Sequence, residues 1–285
     1  MSFDPAWLAL REPADHVARD PALLAALAEA LADRPAIEVV DLGCGTGSNL
    51  RAVAPHLGPV QAWRLVDHDP ALLAAARERL AAWADTCSSE GETLVLRIGV
   101  CRLRVRFVEV DLAGSPDAGI TGAPDLVTAA ALFDLVSPDW IARFVGLLPA
   151  GAAFYTALTY DGREAWTPGH PADEAVHAAF LAHQRRDKGF GPSAGPEATA
   201  LLARALRHAG RAVHEAHSPW RLPPGPLAAA LARGIAEAAR ETGLVEPGTA
   251  AEWARARESA ACIVGHRDLL ALPFLPAASG GRESA

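Results

Sequence analysis

The 285-residue sequence predicts an α/β fold, a doubly wound parallel sheet, and three observations predict it. Short runs rich in Val, Ile and Leu alternate with helical patterns from residue 36 onward, the rhythm of βαβ units. The first of these runs, Ala36-Ile37-Glu38-Val39-Val40-Asp41-Leu42, is apolar on both alternating faces, as strands covered on both sides are. A glycine-rich turn, Asp41-Leu42-Gly43-Cys44-Gly45-Thr46-Gly47, joins it to the helix that follows.

In chain order, residues 5–34 read as mainly helical, with Leu23, Leu24, Leu27 and Leu31 at helical spacing. Asp20-Pro21 is a helix start, with aspartate capping and proline in the first turn; Pro13 is a candidate break. A helix over 47–56 follows the glycine turn, residues 61–67 form the second strand, and Asp69-Pro70 opens a helix to about residue 84. Residues 93–98 and 103–108 read as a hairpin about Gly99, whose second arm is the third core strand. Arg102, Arg104 and Arg106 then share one face, as an anion-binding stripe or as a solvated sheet surface. Residues 125–130 are the fourth strand, 138–148 a helix and 152–160 the fifth strand. Residues 161–196 break the rhythm with Gly, Pro and a helix near 173–186, a length that suits a substrate-binding lid. A helix at 196–209, a strand at 211–218, helices at 226–242 and 248–260 and a strand at 266–272 complete the pattern. This reading makes residues 1–35 a helical cap, 36–275 the main domain with a lid at 161–196 and a helical insert at 222–262, and 276–285 a disordered tail.

Composition narrows the function. Half the residues, 51%, are apolar and 21% are charged, which excludes a wholly disordered chain. The net charge of −8 disfavours nucleic acid as a partner, because it has the wrong sign for binding through the overall field. The excess of Arg over Lys, with Lys188 as the sole lysine, reads as coding bias. Cys44, Cys87, Cys101 and Cys262 form no CxxC pair, so neither a zinc site nor a disulfide framework is expected. The histidines are scattered, and no metal is expected. With no signal-peptide pattern and no apolar run long enough to span a bilayer, the expected location is the cytoplasm, away from membranes.

The chemistry starts at the glycine turn. Its G-x-G-x-G spacing puts Ser48 and Asn49 where a dinucleotide fingerprint carries its last glycine, and no Gly-Lys-Ser/Thr ending follows. Asp41, an acid closing the strand before the turn, would repel a pyrophosphate but suits a ligand with an ammonium group. Asp67 closes the second strand, where a carboxylate can accept two ribose hydroxyls, and Asp111 closes the third. Asp69 has its own use as a helix cap.

Together DLGCGTG, Leu65-Val66-Asp67-His68-Asp69-Pro70, Val108-Glu109-Val110-Asp111-Leu112 and Pro124-Asp125-Leu126-Val127 resemble the motifs of the class I S-adenosylmethionine (SAM)-dependent methyltransferases. The resemblance spans residues 36–160. It implies a Rossmann-like seven-stranded sheet with an antiparallel last strand, here 266–272, and methyl transfer from SAM, leaving S-adenosylhomocysteine. It also implies that Asp41, Gly43, Gly45 and Gly47 hold the methionine part, Asp67 the ribose and Asp111 the adenine. Cys44, Asn49, His68, Leu112 and Ala129 complete the implied cofactor set. The hairpin before the third strand and the helical insert depart from the general pattern and point to a specialised branch.

The fourth strand ends in Ala131-Leu132-Phe133-Asp134, without the Asn/Asp-Pro-Pro-Tyr/Phe signature of enzymes that methylate bases or glutamine. Asp134 is read either as a general base or as a helix-start aspartate. Tyr160 is the second catalytic candidate. Tyr155, His170, His177 and His183 lie on the lid side, each open to a packing role. Arg185, Arg186 and Lys188 form either an anion contact or a solvated helix end, and Trp7, Arg11 and Asp15 share a helix face. The expected reaction is methyl transfer to an oxygen or nitrogen of a small molecule. A SAM-binding partner protein without activity and an aminopropyl-type transferase remain as alternatives.

Overall fold

A computed structural model describes residues 3–273, so the tail expected at 276–285 lies outside the described residues. Helices α1 (Pro5–Ala18) and α2 (Pro21–Ala30) come first, each capped by an aspartate and opened by proline. Asp4 accepts from the Ala6 N–H at 2.8 Å and Asp20 from the Leu23 N–H at 2.9 Å. Pro13 does not end α1: it lies exposed inside the helix.

The alternating core follows: β1 (Ile37–Leu42), α3 (Ser48–Val53), β2 (Val60–Asp67) and α4 (Pro70–Trp83). Next come β3 (Thr86–Glu90), β4 (Thr93–Ile98), β5 (Cys101–Glu109), the single-turn α5 (Pro116–Gly119), β6 (Leu126–Ala130), α6 (Pro138–Leu147) and β7 (Ala153–Thr167). The remainder is α7 (Asp173–Gln184), α8 (Ala198–His208), β8 (Ala212–His217), β9 (Trp220–Leu222), α9 (Pro226–Thr242), α10 (Pro247–Arg257) and β10 (Ala261–Leu272).

The strands form one sheet in the order β3-β4-β5-β2-β1-β6-β7-β10-β8, with β9 paired to β10. Strands β5, β2, β1, β6 and β7 run parallel, and β10 runs antiparallel to both β7 and β8. The expected Rossmann-like class and the antiparallel last strand are present. The expected count of seven is corrected to ten among the described residues. The added strands are β4, the first arm of the expected hairpin, and the short β3 and β9. All of β3 is exposed, so it carries no apolar periodicity to reveal it.

Two helical layers cover the sheet. Leu27, Leu50 and Leu80 from α2, α3 and α4 pack on Ile37, Trp63, Leu65 and Leu103. On the other face, Trp140 and Phe144 of α6 and Leu202 and Leu206 of α8 pack on Val40, Val127 and Phe154. Because α5 is a single turn, the face of β1, β2 and β5 near it stays open, and Arg102, Arg104 and Arg106 lie exposed along β5. Arg104 pairs with Glu90 at 2.6 Å, so the stripe is partly matched by a neighbouring acid.

The region from 161 to 196 departs from expectation. Residues 161–167 continue β7 as a strand, because β10 extends beside them with a register shift between Val264 and His266. This extension, with β9, carries a third cluster in which Tyr160, Trp166, Trp220 and Trp253 pack under α7, α9 and α10. No helix among the described residues is long and apolar enough to cross a membrane.

Candidate active site

The glycine turn sits at the carboxyl end of β1, where open α/β sheets bind ligands. Gly43, Gly45 and Gly47 adopt φ of 63°, 52° and 75°, a left-handed path that costs residues with a Cβ. The turn is pinned to the end of β2: Cys44 N–H donates to Val66 O at 3.0 Å, and Gly45 N–H to Asp67 Oδ2 at 2.8 Å. Asp67 Oδ1 also accepts from the Asp69 N–H at 3.1 Å and lies 3.3 Å from His68 Nδ1.

Asp41 is fully buried behind this turn. Its Oδ1 accepts from Asn49 Nδ2 at 2.7 Å, and the same amide donates to Thr128 Oγ1 at 3.1 Å. Asp41 Oδ2, Asn49 Oδ1 and Thr46 Oγ1 have no partner. Burial pushes the Asp41 carboxyl up to about 7, against the Asn49 hydrogen bond and the nearby Arg19. Burial, with Asp41 and Asp67 beside it, raises the Cys44 thiol well above its usual value and keeps it neutral. Arg19, at the end of α1, is 5% exposed and has Nε and Nη1 unpartnered. A small chamber of about 90 Å³ opens here, walled by Arg11, Arg19, Gly45, Asn49, Ala131 and Leu158.

Phe3 and Leu72 line both this chamber and a neighbouring one of about 310 Å³. Gly43, Asp67, His68, Asp111, Leu112 and Lys188 surround the larger one, together with Phe190 and Leu135. Asp111 is exposed at its rim, with Oδ1 accepting from the Ala113 N–H at 3.0 Å, while Leu112 is buried and its carbonyl accepts from Trp140 Nε1 at 2.8 Å. Ala129 is a correction. It is fully buried in the core beside Leu42 and Val66, and the chamber wall at that strand is made by Ala130 and Ala131.

Lys188 is not a solvated helix end: it is 9% exposed, with Nζ 3.1 Å from His183 Nδ1. Its loop is fastened where Asp187 Oδ1 accepts the N–H groups of Gly189 and Gly191, at 2.7 and 3.0 Å. Ser193 Oγ, 2.8 Å from Leu135 O, ties the loop to the turn after β6. The other lid histidines are engaged in structure. His177 Nε2 donates to Gly162 O at 2.8 Å, and His170 Nδ1 accepts from the Ala172 N–H at 3.1 Å.

At the wall of the small chamber the backbone is strained. Ala131 and Leu158 adopt φ of 50° and 61°, the sort of outlier that clusters at functional sites. Asp134 lies in the 3-10 turn Phe133–Leu135, 8% exposed, with Oδ1 unpartnered. Burial pushes it up to about 6, against Arg11 and the Tyr160 backbone. Tyr160 is 6% exposed with its hydroxyl unpartnered, and burial drives its pKa far upward. Sequence reasoning missed Arg19 and Phe190. Arg19 ends a helix more than twenty residues before the glycine turn, and Phe190 lies in a loop; neither carries a local motif.

No family model matches the sequence, and no curated protein matches it. Among solved structures, the SAM-dependent methyltransferase of Geobacter sulfurreducens, in complex with S-adenosyl-L-homocysteine, is 19% identical. That alignment covers 96% of this chain and 100% of that one, with a TM-score of 0.47. A cyclopropane-fatty-acyl-phospholipid synthase-like protein from Lactobacillus casei is 15% identical over 94% of this chain and 95% of that one, with a TM-score of 0.51. The fold is shared with that protein. The Rossmann-like core therefore stands on both its own topology and this likeness.

Proposed function

We propose that this protein is a SAM-dependent methyltransferase acting on an oxygen or nitrogen of a small-molecule acceptor. The observation that carries the reading is a pair of buried charged groups with unmatched atoms, Arg19 Nε and Nη1 at the wall of the small chamber and Asp41 Oδ2 behind the glycine turn. Buried ions without partners are costly, and an amino-acid zwitterion supplies both counter-charges at once. In this reading Asp41 faces the ammonium, Arg19 the carboxylate, Asp67 the ribose hydroxyls, and Asp111, Leu112 and Phe190 border the adenine. Asn49 fixes the Asp41 carboxylate, and Gly43, Gly45 and Gly47 let the backbone come close. SAM, when bound, supplies a methyl group activated by its sulfonium. The protein's own work is to align and desolvate the acceptor, with α1 and the 185–193 loop excluding water and Asp134 accepting a proton. Tyr160 is the second group placed to hold the acceptor.

The cofactor assignment is tested by calorimetric titration with S-adenosylhomocysteine, with NAD in parallel. Wild type is expected to bind S-adenosylhomocysteine, and Arg19→Leu and Asp67→Ala to bind at least tenfold more weakly, about 1.4 kcal/mol. Binding of NAD without S-adenosylhomocysteine would refute the assignment.

A further inference from the structure

A second set of unpartnered polar atoms lies near the strained pair Ala131 and Leu158. Asp134 Oδ1, the Tyr160 hydroxyl and His266 Nδ1 are each buried and each without a hydrogen-bond partner. They come from the turn after β6, from β7 and from β10. Tyr160 and His266 are register partners across the β7–β10 ladder, so both side chains stand on one face, ring centres 6.3 Å apart. Burial, with the Glu164, Asp161 and Asp134 carboxyls around it, opposes ionisation of the Tyr160 hydroxyl. A buried polar atom without a partner is costly, so three together mark a place that a ligand completes.

The walls are aromatic. Phe180 of α7 meets Tyr160 edge-on at 5.7 Å, and Trp220 of β9 lies 5.1 Å from His266. Neighbouring cations have acidic partners: Arg11 is held by Asp15 at 2.8 and 3.1 Å and stacks on Trp220, Arg163 is paired with Asp161, and Arg257 with Asp173. Glu164, beside Tyr160, has Oε2 unpartnered and adds a second carboxyl.

We propose that this cluster is the acceptor site and takes a small uncharged aromatic ring bearing at least two O–H or N–H donors. The inference rests on the methyltransferase reading above. One donor atom forms the new bond to the methyl carbon as the sulfur–carbon bond breaks. Its proton passes to Asp134 Oδ1, and the electron pair of the broken bond stays on sulfur as a neutral thioether. His266 and Tyr160 hold the other donor. Burial lifts Asp134 to about 6 and Glu164 to about 7 and lowers His266 to about 3, so near neutral pH the Asp134 carboxylate, a partly protonated Glu164 and an uncharged imidazole face the ring. An acceptor carrying a carboxylate or phosphate would meet the Asp134 carboxylate and is selected against.

Two probes that differ by one carboxylate decide this: catechol and protocatechuate, titrated into the protein saturated with S-adenosylhomocysteine and followed by tryptophan fluorescence and saturation-transfer NMR. Catechol is expected to bind at least tenfold more tightly. Tyr160→Phe and His266→Ala should each weaken catechol at least fivefold while S-adenosylhomocysteine affinity stays within twofold, which also shows that they fold. Equal or tighter binding of protocatechuate, no binding of catechol to the wild-type complex, or catechol affinity untouched by both substitutions would overturn the acceptor site and leave the cofactor reading standing. Failure of the wild type to bind S-adenosylhomocysteine would remove both.

Discussion

Burial pushes the Asp41 carboxyl up because its Oδ2 has lost water and gained no donor. An acid whose folded pKa, about 7, exceeds its unfolded value takes up a proton on folding. Its contribution is therefore most favourable at low pH and is lost as pH rises from about 4, the unfolded value, through about 7. Asp41→Asn removes the buried charge and keeps the shape and an acceptor for Asn49. The ligand-free variant is expected to be more stable than wild type at pH 8, and no more stable at pH 4, by urea denaturation. It should nonetheless bind S-adenosylhomocysteine more weakly. A variant less stable than wild type at pH 8 would show that Asp41 is not uncompensated. Asp134 gives a second pH signature, in catalysis. Faced by Arg11 of α1 and by Tyr160 of β7, it is ionised only above about 6, so the methyl-transfer rate should rise with pH through that value. Asp134→Asn should lose about 10²–10⁴ of the rate and the rise with it. A rate indifferent to this substitution would leave Asp134 as a structural turn residue.

In the first half, the elements around the glycine turn carry their own signals and were legible, while the exposed β3 and the single-turn α5 were not. The apolar run of β1, the Asp69-Pro70 start of α4 and the three glycines between β1 and α3 are local features. The far end of β7 was not legible, because Asp161-Gly162-Arg163 has the composition of a turn and Gly162 adopts φ of 83°. It remains a strand because β10 pairs with it on both sides of the bulge, a contact about a hundred residues away. The bulge depends on Gly265. A Cβ there would overlap the Asp161 carboxylate and come within 3.0 Å of Arg163 Cβ, while Asp161 is paired with Arg163. Gly265→Ala is expected to lower the melting temperature by several degrees, the size of effect that about 1–3 kcal/mol of overpacking produces. Because His266 follows directly, the same change should weaken acceptor binding more than S-adenosylhomocysteine binding. An unchanged melting curve would mean that the bulge relaxes freely.

Across the whole molecule, cap, sheet and site meet at Asp268, which no sequence pattern marked. It is fully buried on β10. Oδ2 accepts from the Asp20 N–H at 2.9 Å, which fixes the start of α2, and lies 3.4 Å from the Tyr155 hydroxyl. Oδ1 accepts from the Leu158 N–H at 2.9 Å, the residue whose left-handed backbone walls the small chamber. One carboxylate thus joins the N-terminal segment to β7 and β10 and holds a strained residue in place. Such contacts are invisible to periodicity because they join positions 110 and 248 residues apart. Asp268→Ala would strand the buried Leu158 N–H and the half-buried Asp20 N–H and release Leu158, at about 1–3 kcal/mol for a fully buried unmet donor. The expected outcome is a loss of about 3 kcal/mol by urea denaturation, together with at least tenfold weaker S-adenosylhomocysteine binding at temperatures where the variant remains folded. Asp268→Asn keeps one acceptor oxygen and should fall between the two. If Asp268→Ala loses stability but binds S-adenosylhomocysteine like wild type, Asp268 serves the fold alone, and the left-handed turn at Leu158 is held by its own packing.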